Sequence, residues 1–370
     1  LWAGNVEIHI KSSDWYAHGH ETDTNYDNVI LHVVWEEDVS VFRSDGSEIP
    51  TLELKNYINK ELLQNYKNLF EQKPDTFINC GTDITAISAF DFVNWKERLY
   101  FERLERKSDL IFKLLEESKN DWEKVLFVLL LKNFGSKING DTFYELGRFI
   151  DFSTIRKLQN KPKELEALLF GLTGLLEEQE DAYQKELRDM YDFLCHKYQI
   201  EKPDFLKVQF FKLRPSNFPT IRLSQFAQLY ASVYALFQKV VQLEGLNLHE
   251  VFSLKTSAYW ETHYTFGKLS KPSSKKISKQ FIDLLIINTI LPLRFCYLKQ
   301  QGIAISDVFT RPILTIAPEK NSIIKKYQTL GVFVENGKDS QSLLELYTNY
   351  CVKNKCLECA VGAKLLTLKA

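Results

Sequence analysis

The first 55 residues alternate between apolar and polar side chains, a pattern that predicts β-strands. The two alternating sets of the segment 5–11 are Val6, Ile8 and Ile10 on one face and Glu7, His9 and Lys11 on the other. Residues 28–35 form an almost continuous apolar run with β-branched side chains, as in a central strand. An Asp45-Gly46 turn lies between two strand-like stretches of residues 39–54 and predicts a hairpin. We therefore expect a mixed β-sheet at the N-terminal end.

After about residue 55 the apolar positions recur at helical spacing. The helices predicted from this spacing are residues 54–71, 84–117 (as two helices), 122–134, 141–150, 164–176, 181–198, 224–242, 281–300 and 343–353. This pattern predicts an α+β protein in which a small N-terminal mixed sheet packs against a large, mostly helical domain. The predicted domains are residues 1–55 and 56–370, and a candidate subdivision of the second lies near 200–215.

The composition is that of an ordinary globular protein, with 370 residues, 45% apolar and 26% charged. The net charge of −1 provides no overall attraction to nucleic acid or acidic lipid. The most apolar segment, residues 281–293, is interrupted by Asp283, Asn288 and Pro292, so we expect a buried helix and no membrane span. Six cysteines are too few for a disulfide framework, which favours reduced thiols and a cytoplasmic protein.

Four of the seven histidines fall within the first 32 residues. His18 and His20, with Asp23 nearby, have a His-x-His spacing that lets two imidazoles reach one transition-metal ion, Zn²⁺ or Mn²⁺. The alternative is a turn that bends at Gly19. His32 lies inside an apolar strand, where a single imidazole is more often a buried, hydrogen-bonded structural residue.

The polar face of the first strand is the predicted catalytic site. Glu7 supplies carboxylate oxygens for Mg²⁺ or Mn²⁺, and it is also grouped with His18, His20 and Asp23 as a metal ligand. His9 and Lys11 are the predicted basic groups beside it. The alternative is a solvated polar face on an edge strand.

Two basic segments are candidates for phosphate contact. Arg214 and Arg222 flank a turn that contains two prolines, where they could bind phosphate or form structural ion pairs with the sheet domain, and the pattern favours a structural role. The loop 268–279 carries five lysines and could contact a nucleic-acid backbone, although a solvated loop is the simpler interpretation.

The C-terminal segment contains Cys351, Cys356 and Cys359. This spacing is compatible with zinc or an iron–sulfur cluster, but three thiolates are one short of a closed site. His249 or His263 could in principle be the fourth ligand, and the alternative is a set of buried helical cysteines. Cys80 lies in a separate segment and is expected to be structural.

Several strings resemble an uncharacterised bacterial family, the domain-of-unknown-function family 2851. The matching strings are residues 2–9 (WAGNVEIH), 13–15 (SDW), 18–20 (HGH), 26–34 (YDNVILHVV), 214–223 (RPSNFPTIRL) and 356–359 (CLEC). The resemblance covers essentially the whole chain and implies no function. The family pattern also has a Gly-Pro-Asp-Phe string one strand before the segment 5–11, so the chain is expected to lack an upstream strand. That order is similar to the core of PD-(D/E)XK nucleases, although those enzymes have Glu-x-Lys where this chain has Glu7-x-His9.

The function predicted from these residues is a metal-dependent, nuclease-like phosphodiesterase acting on nucleic acid. The alternatives are a non-catalytic scaffold for protein interactions and a zinc-dependent hydrolase that uses the paired histidines.

Overall fold

Two compact units make up the chain. The computed structural model describes residues 3–71, 76–178, 180–201, 203, 206–242 and 247–368. Unit 1 consists of residues 1–95, 325–332 and 346–370, and unit 2 of residues 96–324 and 333–345. The α+β class is confirmed. The division of the chain differs from the predicted boundary at residue 55, because residues 56–95 and the C-terminal segment belong to the same unit as the sheet.

The N-terminal sheet has three strands, β1 (Asn5–Lys11), β2 (Val29–Glu36) and β3 (Thr51–Glu53), in the order β1-β2-β3. Both pairings are parallel, so the expectation of a mixed sheet is wrong for these strands. The predicted hairpin is reduced to a bridge between Phe42 and Glu48 around the Asp45-Gly46 turn. Beyond this turn the chain leaves its antiparallel partner and lies beside β2, with Leu52 opposite Val33.

The polar face of β1 is the covered one. The His9 side chain is only 7% exposed, whereas Ile8 is 69% and Ile10 is 72% exposed. A short helix, α1 (Asp14–Ala17), follows β1 and contributes the fully buried indole of Trp15. This indole joins Val29, Val41 and Ile49 in a small core, which Tyr26 flanks.

The rest of unit 1 is helical. The helix α2 (Lys60–Phe70) begins at the capping side chain of Asn59, six residues later than the predicted start at 54. Residues 84–117 do not divide into two α-helices, since a 3₁₀ turn precedes one long helix, α3 (Ala89–Glu117). Residues 89–95 of α3 are counted in unit 1 and residues 96–117 in unit 2.

Ten further α-helices from α4 to α13 belong to unit 2. They are α4 (Trp122–Phe134), α5 (Ser136–Phe149), α6 (Phe152–Lys157), α7 (Pro162–Leu172), α8 (Ala182–Tyr198), α9 (Pro219–Ser232), α10 (Leu236–Val241), α11 (Leu248–Phe252), α12 (Lys279–Leu285) and α13 (Leu291–Gln300). The predicted helix 224–242 is interrupted between α9 and α10, where Ala235 has a φ of +51°. A two-stranded antiparallel ribbon, β4 (His263–Thr265) and β5 (Lys268–Leu269), lies before α12.

Four more helices complete the chain. They are α14 (Asp307–Leu314), α15 (Ser322–Thr329), α16 (Gly337–Leu346) and α17 (Ala360–Leu368). The predicted helix 343–353 is the end of α16 followed by a π-helical turn, Tyr347–Cys351.

The core of unit 2 is centred on α4, whose residues 125–131 are all buried. A π-helical turn, Ile286–Ile290, joins α12 to α13, and the combined helix Lys279–Gln300 is long and apolar enough to cross a membrane by length and composition. Its most apolar window is 78% buried inside the protein, as expected for a core helix. Arg294 on this helix donates to the carbonyls of Val240 and Gln242 at the end of α10. The carbonyl end of a helix carries a partial negative charge, so a cation is favourable at this position.

Candidate metal centre

The turn after β1 places two histidines beside the strand. α1 ends at Ala17 with His18 as its C-cap, and Gly19 follows with a φ of +71°, a left-handed conformation that glycine adopts without a steric penalty. This bend places His18 and His20 beside His9, with ring centroids 5.0 Å and 5.4 Å from its own. The proposed metal site and the turn are therefore not alternatives, because the bend at Gly19 is what brings the rings together.

A network around Asp38 fixes the start of this turn. The Asp38 carboxylate accepts hydrogen bonds from the Ser12 hydroxyl (2.9 Å) and from the amide and hydroxyl of Ser13 (both 2.8 Å). The Ser12 oxygen in turn accepts the backbone amides of Asp38 and Val39, each at 2.9 Å. These bonds lower the pKa of Asp38 to about 2, with those from Ser13 contributing most.

His9 is at the centre of the histidine cluster. Its Nε2 lies 3.1 Å from His18 Nδ1 and 3.7 Å from Glu7 Oε1. Its Nδ1 lies 2.9 Å from Nε2 of the fully buried His32. His9 therefore presents one ring nitrogen toward the cluster and directs the other toward a second imidazole behind it.

His9, His18 and His20 each offer a ring nitrogen, and these three atoms all lie within 4.8 Å of one another. His20 is 9% exposed, and its ring stacks on Tyr26 with a centroid separation of 3.7 Å. His18 is exposed and opens the cluster to solvent. We refer to His9, His18 and His20 below as the histidine triad. Fixed imidazoles that converge on one point suit a transition-metal ion.

Burial and the neighbouring imidazoles favour the neutral form of His9 and His32, and the neutral form of an imidazole is the one that binds metal. Burial lowers the pKa of His32 to about 4, and the neighbouring rings of His9 and His20 act in the same direction. Burial also lowers the pKa of His9, again helped by His18 and His20 and opposed by the Glu7 carboxylate. The prediction that His32 is a buried, hydrogen-bonded residue is confirmed, although its partner is a histidine of the triad.

The other predicted residues of this region lie around the triad. Glu7 is next to His9 but outside the set of mutually close ligand atoms, and its side chain is 30% exposed. Lys11 is exposed at the end of β1. Asp23 is outside the triad as well, since its Oδ1 accepts the amide (2.9 Å) and the side chain (2.8 Å) of Asn25 and caps a 3₁₀ turn.

The predicted phosphate contacts in unit 2 separate into an exposed and a buried arginine. Arg214 is exposed, whereas Arg222 is 7% exposed and stacks on the Phe281 ring, 3.6 Å from its centroid. The Arg222 guanidinium donates to the amide oxygens of Asn217 (2.6 Å) and Gln225 (3.0 Å). Burial lowers its pKa to about 10. The geometry of Arg222 is that of a packing residue that ties the proline-containing turn to α9.

The lysine loop is only partly solvated. Lys275 is 5% exposed, donates to the Glu261 carbonyl at 2.8 Å, and lies over the Tyr264 ring at 4.3 Å. The Lys275 ammonium therefore makes its contacts inside unit 2.

Sequence reasoning missed three contributors to the metal centre, namely Asp38, Ser12 and Tyr26. Asp38 and Ser12 meet across 26 residues of sequence, and no local pattern shows such a contact. The aromatic ring of Tyr26, within the YDNVILHVV string, was the one available signal, since stacked aromatic rings often orient an imidazole.

Comparison with known proteins gives one match. A family model described as "Protein of unknown function (DUF2851)" matches residues 1–322. The curated proteins and the solved structures contain no match to the chain. The likeness to PD-(D/E)XK nucleases thus has no support beyond the order of residues around Glu7.

Proposed function

The chain belongs to the DUF2851 family of proteins of unknown function, and we propose that it is a transition-metal-dependent hydrolase whose metal ligands are the histidine triad. The observation that carries this proposal is the convergence of three imidazole nitrogens within 4.8 Å. Three protein ligands leave a coordination position for water or substrate, as in catalytic rather than structural zinc sites.

The donor set favours Zn²⁺. Imidazole nitrogens suit zinc and other late transition metals, whereas Mg²⁺ takes oxygen ligands in a nearly ideal octahedron. The zinc-dependent hydrolase is therefore better supported by the geometry than the Mg²⁺-dependent nuclease, and Mn²⁺ is the second candidate. A bound zinc ion would supply a water molecule whose pKa is close to neutral.

The residues of β1 have distinct roles in this proposal. Glu7 is the general base, because its carboxylate lies 3.7 Å from the metal-facing nitrogen of His9 and is partly open to solvent. Lys11 lies two residues beyond His9 on β1 and is exposed, in a position to neutralise an anionic substrate. His32 positions His9 because its Nε2 accepts a hydrogen bond from the Nδ1–H of the metal-binding tautomer of His9.

The substrate class that we propose is a phosphodiester, as in nucleic acid. The support for it is the pairing of a metal site with an exposed lysine on one strand, which suits charge neutralisation on phosphate. None of the six cysteines, all of which lie in the described residues, is part of a disulfide, which supports the cytoplasmic location that we retain as part of the proposal.

Metal analysis and a hydrolysis assay test the proposal together. We expect the parent to hold about one zinc ion per chain. His20→Ala should lose this zinc, whereas His196→Ala, which alters an exposed histidine of α8, should retain it. The purified chain should hydrolyse bis(p-nitrophenyl) phosphate or DNA, and Glu7→Gln should keep the zinc but lose most of the activity. Equal zinc in the parent and in His20→Ala would overturn the metal site. Equal hydrolysis in the parent and in Glu7→Gln would overturn the enzyme, and no hydrolysis in either would leave the scaffold alternative.

A further inference from the structure

Four of the six cysteines line one cavity in unit 1, although the sequence suggested only three. The cysteines that line it are Cys80, Cys351, Cys356 and Cys359, and we call it the cysteine cavity. The fourth ligand that the C-terminal segment lacked is Cys80. His249 and His263 are not among the residues that line this cavity, and His249 pairs with Asp283 at 2.7 Å.

The local structure presents each C-terminal cysteine toward this cavity. Cys351 ends the π-helical turn, an irregularity that often occurs at functional sites. Cys356 begins a 3₁₀ turn, and Cys359 is the residue before α17. Gly362 approaches the Cys356 carbonyl so closely that a Cβ there would lie 2.1 Å from the oxygen. The turn is therefore folded back tightly onto the first turn of α17.

Hydrogen-bond donors point at the sulfurs. Asn79 Nδ2 lies 3.6 Å from Cys356 Sγ, and the Tyr327 hydroxyl lies 3.5 Å from Cys351 Sγ. Burial raises the pKa of the Cys359 thiol, and the nearby backbone amides of Gly362 and Val361 and the Trp95 side chain partly offset that rise. A thiol sulfur is a weak acceptor, whereas a thiolate is a strong one, so this set of donors suits anionic, metal-bound sulfur.

The free thiols are in unfavourable surroundings for ionisation without a metal. Burial raises the pKa of Cys351 to about 12, and mutual repulsion among the cysteines adds to the effect. The pKa of Cys80 is raised in the same way by burial and then by Cys351, Cys359 and Cys356. A bound cation reverses this balance, because it deprotonates coordinating thiols outright.

The spacing of the sulfurs distinguishes a cluster from a single ion. A tetrahedral Zn–S₄ site has Zn–S bonds of about 2.3 Å, which places its sulfurs about 3.8 Å apart. Among the described residues, the histidine triad is the group of potential ligands whose atoms all lie within 4.8 Å, and no three cysteine sulfurs satisfy that condition. The four thiols are near enough to influence one another's ionisation but too far apart for one zinc ion.

We propose that the cysteine cavity binds a [4Fe–4S] cluster. Ligation is a ligand exchange with a preformed cluster: the four cysteine S–H bonds and the four bonds from iron to the cluster's terminal thiolate ligands break, and four Fe–S(Cys) bonds form. The displaced thiolates take up the four protons and leave as thiols, with no electron transferred. The cluster would join the segment around residue 80 to the C-terminal segment, which are separated in sequence by all of unit 2. Such a link restricts the unfolded chain and stabilises unit 1.

Anaerobic purification with iron and acid-labile sulfide analysis tests this proposal. We expect about four iron atoms and about four sulfides per chain in the parent, with visible absorption that dithionite bleaches. Cys80→Ser is the sharpest variant, because it changes the ligand that is remote in sequence, and it should retain less than about one iron atom per chain. Cys195→Ser is the matched control, a half-buried cysteine in unit 2, and should retain the parent's iron.

The outcomes separate this site from the histidine triad. His20→Ala should lose zinc and keep iron, and Cys80→Ser should do the opposite. Zinc in place of iron, lost in Cys80→Ser, would overturn the iron–sulfur assignment. So would a parent without iron or sulfide. These two results come from the parent's own metal content, so they remain decisive even if Cys80→Ser is poorly folded by circular dichroism.

Discussion

His9 Nδ1 and His32 Nε2 are 2.9 Å apart, and this contact links the surface of the histidine triad to the buried face of the sheet. When His9 Nε2 binds a metal, the proton of the His9 ring must be on Nδ1, and His32 Nε2 must accept the hydrogen bond from this N–H. His32 can do so because its lowered pKa keeps the ring neutral. The proton of His32 is then on its own Nδ1, a buried atom with no hydrogen-bond partner among the described residues.

Removing this acceptor should weaken metal binding. We expect His32→Leu, which nearly keeps the side-chain volume, to lower zinc affinity by about 10- to 100-fold, because the Nδ1 proton of His9 loses its partner. Competition with a chromophoric chelator measures the affinity. His32→Gln retains an acceptor oxygen and should recover part of the loss, whereas unchanged affinity in His32→Leu would show that His32 does not position His9.

The stability of the metal-free protein should fall as the pH is lowered from about 6.5 to about 4. In this range the unfolded chain binds a proton at His32 that the folded chain does not, so acid favours unfolding. The shift from 6.5 to about 4 corresponds to a loss of at most about 3 kcal/mol.

Denaturant unfolding at pH 7, 5.5 and 4 measures this dependence. His32→Leu should be less sensitive to pH than the parent, and His196→Leu should behave like the parent. Asp38 does not confuse the result, because its lowered pKa places its own loss of stability below about pH 4. An equally steep dependence in His32→Leu would contradict the assignment.

Glu166 should be a major stabilising residue of unit 2. It is fully buried on α7, and its carboxylate accepts hydrogen bonds from Trp260 (2.6 Å), Tyr183 (3.1 Å), Ser224 (3.1 Å) and Ser257 (3.3 Å). Glu166→Ala removes this acceptor from Trp260 and Ser224, while the Tyr183 and Ser257 hydroxyls keep only each other, at 3.0 Å. The substitution should cost about 3 kcal/mol. Glu164→Ala on the same helix removes a surface pair with Lys161 and should cost less than about 1 kcal/mol.

The pH dependence of this buried carboxyl has the opposite sign to that of His32. Burial raises the pKa of Glu166 despite its hydrogen bonds, so the folded state holds the proton to higher pH than the unfolded state. Its contribution to stability therefore decreases as the pH rises above about 4.5. Glu166→Gln, which cannot ionise, should remove this decrease in urea unfolding, and a decrease that persists would assign it to another group.

Gly362→Ala should empty the cysteine cavity without affecting the histidine triad. The added methyl would lie 2.1 Å from the Cys356 carbonyl oxygen, which forces the Cys356–Cys359 turn away from α17. We expect most of the iron to be lost and the zinc to be retained. Ala360→Gly, at an exposed position of the same helix, lowers only helix propensity by about 1 kcal/mol and should keep the iron. Full iron in Gly362→Ala would show that this turn does not form the cavity.

The sequence by itself determined the class of the fold, the helices with strong periodicity and the segment that carries the triad. α4 was predicted with its exact bounds, because a continuous apolar run follows a capping aspartate and needs no distant partner to form a helix. The roles of Glu7, His9, His18 and His20 as neighbours also followed from the sequence, since strand alternation and a one-residue bend at Gly19 are local properties.

Only the tertiary structure decided which face of β1 is buried, that the sheet is parallel and that Cys80 joins the other three cysteines. Alternation shows that β1 has two faces, but the packing of Trp15 and Tyr26 selects the polar one. Strand direction depends on where the chain returns, and a fourth ligand depends on contacts between segments about 270 residues apart. Local side-chain patterns carry no record of such long-range contacts.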